Sequence, residues 1–463
     1  MNHNSDLHNG SPNFQKWLHL VLMGTVSLGC SFVYDIPQAL QVQFQNTPLN
    51  LDYFKFDMLY SVYSIPNIIL PLLGGCFTKI VGVRLALIIF AYLVLQGQMI
   101  FGFGVYWGDY TCMIIGRVIY AVGAENLYLA QLTMAVQSSS SKELTFVIGW
   151  NNSISYLANV INGLTTPLIF QKSQKLWAPS VFGVILCLVS LFCALGVSCM
   201  KRTKESPLPM YEPTSPMKSF CSEVVKYLKE VPALFWALTL YYIFTFPDFK
   251  AFTDNMNDQV HKRFGFNYIK AAQLGLLYYM QLIIVSPLLG ILIDKYGKRW
   301  YWLVTSAILA VASHLLFSLL KTQADEGYIV VLPLILLGTA HAIFETTSWS
   351  CICIAAGEDK VEMGFGIAAS GMNAMTVLVL IILGKVSDYS KKIEFGYFYS
   401  EIFLEIIAIG SILVLLTVMR FDFVAGKTLF DNRSRKEEKI TEISPSFAGT
   451  EDDDEKRCLV SPN

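Results

Sequence analysis

The stretch Gly290-Ile-Leu-Ile-Asp294-Lys295-Tyr296-Gly297-Lys298-Arg299 joins two long apolar runs and decides the fold. Gly290 permits close helix packing, and Gly297 permits a tight reversal. Asp294 can pair with a cation or cap a helix end. Such a turn can act as a charge latch that holds one conformational state closed. An earlier stretch repeats it: Gly75-Cys-Phe-Thr-Lys79-Ile-Val-Gly82-Val-Arg84, with Lys79 where the second copy has Asp294. The lysine puts a charge latch in the first copy in doubt. Matched turns in two halves mark an internally duplicated chain.

The composition supplies the medium in which these turns sit. Of 463 residues, 54% are hydrophobic and 15% charged, against about 25% charged in soluble chains. A net charge of −1 offers no basic face for nucleic acid. Apolar runs of spanning length lie at 17–41, 54–78, 85–106, 111–136, 144–170, 178–200, 234–256, 270–293, 300–320, 328–354, 363–387 and 395–419. The run at 234–256 is the weakest, because it carries Pro247, Asp248, Lys250 and Asp254. The expected architecture is an all-α membrane protein of twelve transmembrane helices in two pseudo-symmetric six-helix bundles. The segments would be a cytosolic 1–16, a first bundle at 17–200, a cytosolic loop at 201–232, a second bundle at 233–420 and a disordered acidic tail at 421–463. Lys79, Arg84, Lys295, Lys298 and Arg299 in the short turns place those turns and both termini in the cytosol by the positive-inside rule. The ten cysteines show no metal spacing with histidine and read as small buried hydrophobes. No nucleophile–base constellation or phosphate loop appears, so an enzyme is not expected, and neither is a metal or cofactor.

The second turn matches the G-x-x-x-D-x-x-G-[RK]-[RK] pattern of the major facilitator superfamily. Further segments narrow the resemblance: Tyr34-Asp35-Ile36-Pro37-Gln38-Ala39-Leu40, Leu59-Tyr60-Ser61-Val62-Tyr63-Ser64-Ile65-Pro66-Asn67, Gly116-Arg117, Gly123-Ala124-Glu125-Asn126-Leu127, Ser141-Lys142-Glu143-Leu144 and Phe264-Gly265-Phe266. In order and spacing they resemble the animal lysosomal dipeptide transporters of the domain-containing-protein-1 type. The resemblance implies a lysosomal carrier that exports dipeptides to the cytosol, and a glycosylated single-span accessory protein that shields it. The N-x-[ST] matches at Asn9, Asn151 and Asn432 would all lie in cytosol or membrane, leaving the lumenal face bare.

Ionisable groups within spans are costly and usually line a cavity. Glu125, mid-span and matching the family's acidic position, would accept a dipeptide's ammonium or form a structural pair with Arg117. Arg117 would serve structure or a polar path. Asp35, beside Pro37, would gate the lumenal entrance or cap a helix. His341 and Glu345 share a helix face, as a proton site or an interfacial polar pair, and Trp349 continues that face as a stacking platform. Tyr60 and Tyr63, in the span-two segment, join the substrate-binding candidates. Glu401 and Glu405 read as a solvated face. The gating candidates are Asp35, Gly75, Gly82, Arg84, Gly290, Asp294, Gly297, Lys298 and Arg299. One departure bears on substrate: Tyr156 stands where the family has an arginine for the substrate's carboxylate. A phenol neither neutralises a carboxylate nor grips it with a fork. The rival readings are a proton-coupled carrier of another small metabolite, and a non-transporting membrane receptor or scaffold.

Overall fold

A computed structural model of the chain describes residues 12–40, 43–44, 49, 51, 53–140, 142–200, 228–266, 268–320, 328–357, 360–392, 398–426 and 429. Most of the expected loop at 201–232 and tail at 421–463 lies outside them. The elements in order are α1 (Pro12–Val26), α2 (Leu28–Tyr34), α3 (Ile36–Ala39), α4 (Tyr53–Ser64), α5 (Leu70–Val81), α6 (Val83–Trp107), α7 (Tyr110–Ser138), α8 (Leu144–Ser173), α9 (Ala178–Cys199), α10 (Ala233–Phe264), α11 (Tyr268–Tyr296), α12 (Arg299–Leu319), α13 (Val331–Ala356), α14 (Val361–Lys392) and α15 (Phe398–Val424).

Each of the twelve expected spans meets helix, and the chain is a twelve-span all-α membrane protein. Two spans are not continuous. The first breaks at Ser27 and Asp35 into α1, α2 and α3. The second bends by 55° between α4 and α5, where Pro66 and Pro71 remove backbone donors and crowd the preceding turn. Among the described residues nine helices are long and apolar enough to cross a membrane, and the bent pair makes a tenth. The other two, α8 and α10, have 30 and 32 residues, roughly 45 Å of helix each. They are long enough, but they carry polar side chains such as Asn151, Asn152 and Asn162, or Asp248 and Gln259, that are buried. A helix that faces the bundle interior can carry groups that lipid would reject.

Two buried apolar cores divide the chain. One draws on residues from Leu20 to Val197. The other runs from Leu234 to Leu429 and takes in Leu129, Leu132, Leu144 and Ile148 from the first half. The repeated turns form at the same end of the bundle. Gly82 and Gly297 both have positive φ, 84° and 65°, open to glycine at little cost. The first glycine of each copy lies in the seam between the halves. A Cβ on Gly290 would lie 2.4 Å from the Phe146 Cα of α8, and one on Gly75 would lie 2.5 Å from the Glu362 carbonyl oxygen of α14. The two copies thus close two symmetry-related seams, α11 on α8 and α5 on α14.

Gly290→Leu should wedge α8 from α11. Overpacking of about 1–3 kcal/mol would then fall on the state closed at this end. Ser286, 1% exposed, abuts Gly149 across the same seam. A Ser286→Cys thiol should be alkylated faster in the Gly290→Leu background than in the parent. Equal rates, read by mass spectrometry of that peptide, would show that close approach at Gly290 does not hold the seam.

Candidate functional site between the two halves

Two carboxylates sit mid-span where the halves meet, and each is held by donors from across the seam. Glu125, on α7, accepts from the Tyr63 hydroxyl at 3.0 Å and from Asn373 Nδ2 of α14 at 3.3 Å. Glu345, on α13, accepts from the Tyr156 hydroxyl of α8. The Tyr128 hydroxyl of α7 lies 3.3 Å from its other oxygen and 3.1 Å from Asn152 Oδ1. Tyr156 therefore serves a protein carboxylate in this state.

His341, one turn before Glu345, lies 3.8 Å from it through Nε2. Its Nδ1 is 2.7 Å from the Tyr278 hydroxyl of α11, and its ring stacks on Phe249 of α10 with centroids 4.7 Å apart. Trp349, 1% exposed, packs at 4.7 Å on Tyr242 and edge-on to Tyr128 and Phe365. It forms a wall behind Glu345 and presents no open stacking face.

The pairing of Arg117 with Glu125 is not what the structure shows. Arg117, 2% exposed, donates to the Tyr34 carbonyl at 2.9 Å and the Val33 carbonyl at 3.5 Å. Its guanidinium lies 5.3–5.5 Å from the ring centroids of Tyr60, Phe101 and Tyr120. The break after Tyr34 frees carbonyls that a continuous helix would consume, and the guanidinium donates to these rather than to the carboxylate two turns away. Tyr60 accordingly lies against Arg117, while Tyr63 reaches Glu125.

Lys250, one of the charges that weaken the run at 234–256, lies mid-helix on α10, its side chain 28% exposed. It pairs with Asp254 at 2.7 Å, and its ammonium is 5.1 Å from the Tyr34 ring centroid. It lies within electrostatic range of Asp35, Glu125 and His341. Asp35 occupies the N-cap position of α3 but makes no side-chain cap bond there. Its neighbours Lys250, Asp254 and Arg117 put it at the seam end opposite the turns. The signal for Lys250 was visible in the sequence, since a lysine inside an apolar run must face the interior.

The turns differ in charge and in partner. Asp294 accepts from the backbone N–H of Thr145 at 3.2 Å and of Phe146 at 2.8 Å, with Arg299 at 3.8 Å. Glu143, the N-cap residue of α8, supplies no side-chain bond to that end. Asp294 thus caps a helix of the other half. Lys298 begins α12 in the left-handed region at φ 50°. In the first copy, Arg84 donates to the Ser198 carbonyl at 3.0 Å, at the C-terminus of α9, so its bond stays within its own half. A cavity of about 590 Å³ opens at this end, lined by Lys16, His19, Lys142, Glu143, Asp294 and Lys295 among others. Neither Glu125 nor Glu345 lines it.

The solvated face expected at Glu401 is also overturned. Glu401 is 0% exposed and lies 2.9 Å from His314 Nδ1.

Residues 20–380 match the family model described as Major Facilitator Superfamily. The chain belongs to the Major Facilitator Superfamily. It is a multi-pass membrane transporter, not an enzyme. It is 25% identical over 433 residues to the lysosomal dipeptide transporter MFSD1 of Bos taurus, across 91% of this chain and 89% of that one. The Danio rerio transporter of that name is 27% identical over 424 residues, across 89% and 88%. Among solved structures, the E. coli fucose:proton symporter FucP superposes with TM-score 0.67 at 15% identity, covering 85% of this chain and 98% of that one. The proton:xylose symporter XylE gives TM-score 0.70 at 13% identity, covering 88% and 96%. These structural likenesses carry the fold.

The Arg117 geometry gives a direct check. Arg117→Gln should lower thermal stability, since hydrogen bonds to a charged group are worth about 1.5–3 kcal/mol each. Adding Glu125→Gln should not restore it. Recovery in the double variant, in melting curves of purified protein, would reinstate the Arg117–Glu125 pair.

Proposed function

We propose that this transporter carries dipeptides across the lysosomal membrane, with both termini and the two repeated turns in the cytosol. One observation carries the proposal: the mid-span carboxylate Glu125 lies within electrostatic range of an interior lysine, Lys250, a charge pattern complementary to a zwitterion. Glu125 takes the peptide's ammonium, displacing Tyr63 or Asn373. Lys250 takes the terminal carboxylate. An ammonium has three donors, and Asp254 engages Lys250 at 2.7 Å. This lysine stands in for the arginine that the resemblance led one to expect at Tyr156. The lysosomal dipeptide transporters among its relatives support the substrate class.

A glycosylated single-span accessory subunit belongs to the same proposal. Of the three sequons, the one at Asn151 lies within α8, where Asn151 is 1% exposed, and the other two fall outside the described residues. The carrier itself therefore presents no glycan among those residues, and a partner would have to supply the shield.

Glu125→Gln preserves shape and removes charge. Affinity for free-amine dipeptides should fall at least about tenfold, the loss of roughly 1.4 kcal/mol of charge-assisted bonding. N-acetylated peptides should bind weakly to both forms. Lys250→Met should weaken free-acid peptides and leave C-terminal amides indifferent. Uptake and binding in proteoliposomes would measure both. Unchanged dipeptide affinity in both variants would sink this assignment.

A further inference from the structure

The second half holds a polar cluster that the seam carboxylates do not use. His314, on α12, lies between Asp248 of α10 and Glu401 of α15. Its Nε2 is 3.3 Å from Asp248 Oδ2, and its Nδ1 is 2.9 Å from Glu401 Oε2. The three side chains are 0–1% exposed. Gln259 donates to the other oxygen of Glu401. Neither oxygen of Asp248 accepts a hydrogen bond of good geometry, so a fully buried carboxyl faces one imidazole edge and little else.

Charge counting shows what is missing. With both acids ionised and His314 protonated, the trio sums to −1. An unbalanced buried charge is costly, and one further proton neutralises the trio. The surrounding elements offer limited compensation. On α10, Arg263 lies within electrostatic range of Glu401, but its guanidinium donates to the Ser318 and Leu320 carbonyls. Tyr278, on α11, lies within electrostatic range of Asp248, while its phenol bonds His341. Phe252 packs against the His314 ring. From α13, His341 stacks on Phe249, the residue after Asp248. From α14, Ser387 bonds Ser400, beside Glu401.

Position gives the cluster its meaning. Asp248, Phe249 and Lys250 are consecutive. Phe249 stacks on His341 at the substrate carboxylates, and Lys250 touches Tyr34 of the first half. Pro247, directly before them, lies inside α10, where it removes a helix hydrogen bond and softens the backbone. One weakened helix turn therefore joins the buried trio, the His341 ring beside Glu345 and the contact between halves.

We propose that Asp248, His314 and Glu401 form a proton-binding site, separate from the substrate carboxylates, whose occupancy sets the Lys250–Tyr34 contact at the seam end opposite the repeated turns. Protonation neutralises the trio and lets the 247–250 turn settle into the bundle. Proton loss leaves a net charge that pulls Asp248 towards His314 and rotates Lys250 with it. The bound species is the proton alone, whatever solute the chain carries.

The test needs no substrate, so failure of the dipeptide proposal leaves it intact. Purified protein is stepped between about pH 5 and about pH 7.5, the range in which a histidine–carboxylate cluster exchanges protons. Infrared difference spectra should show a protonated-carboxyl band that Asp248→Asn or Glu401→Gln removes. Nitroxides on Gln38→Cys and Tyr328→Cys, in a chain whose native cysteines are serine, should report a pH-dependent distance across that end. The pH response should vanish in His314→Gln and in whichever carboxylate variant loses the band. Any one of three outcomes overturns the proposal: no band in the wild type, a band untouched by both carboxylate variants, or a distance response that persists in all three. Since Asp248→Asn, Glu401→Gln and His314→Gln are read separately, misfolding of one leaves the other two decisive.

Discussion

The arrangement depends on how two buried carboxylates are kept satisfied. Glu125 belongs to the first half and Glu345 to the second, and each accepts a hydrogen bond from the half it does not belong to. In a low-dielectric interior such bonds are costly to lose. The halves cannot separate at the middle without presenting the carboxylates with new donors, and water or an ammonium can supply them. The carboxylates proposed to bind substrate are therefore also contacts between the halves. A ligand that replaces the cross-seam donors changes the seam energy directly, which is the differential interaction an alternating carrier requires.

At the turn end of the seam, close backbone approach and a cross-half helix cap hold the halves together. Glycines at 75 and 290 bring main chains of opposite halves together, and Asp294 caps α8 from outside its own half. The N–H groups at a helix start need partners, and α8 obtains two of them only while the seam is shut. Opening this end strands those donors until water reaches them, so the latch is a difference in solvation between two states. The first copy has no equivalent carboxylate, because Lys79 occupies that position. The facing helix α14 instead carries Glu362 in its own first turn, where an acid is favourable, and Gln137 of the first half donates to it at 3.3 Å. The two seams thus have unequal devices on an otherwise repeated scaffold.

Much of this was legible in the chain. The twelve runs, the repeated turn and the interior acids follow from hydropathy and spacing, since lipid admits little else. The partners of those acids were not legible. Arg117 and Glu125 share a helix and invite pairing, but the break after Tyr34 creates unsatisfied carbonyls nearer to the guanidinium, and periodicity does not register such a break. Glu401 lies near a span end, where exposure is the ordinary expectation. Its burial depends on His314 and Gln259, which come from two helices distant in sequence. Tyr128 and Asn373 carry no charge and stand out in no hydropathy profile, yet each donates across the seam to a carboxylate of the other half.

The polarity of α10 now has a physical explanation. A span carrying Asp248, Lys250 and Asp254 would be expelled by lipid if those groups pointed outward. Nearly two helical turns distribute them instead over two internal faces. Asp248 turns towards α12 and α15, while Lys250 and Asp254 turn towards the first half. Phe249 fills the space between these faces against His341. Three neighbouring residues thereby serve three surroundings, and Pro247 before them lowers the cost of moving them as a unit. The same residues that weaken the hydropathy of this span make it the helix through which charge state and seam geometry communicate.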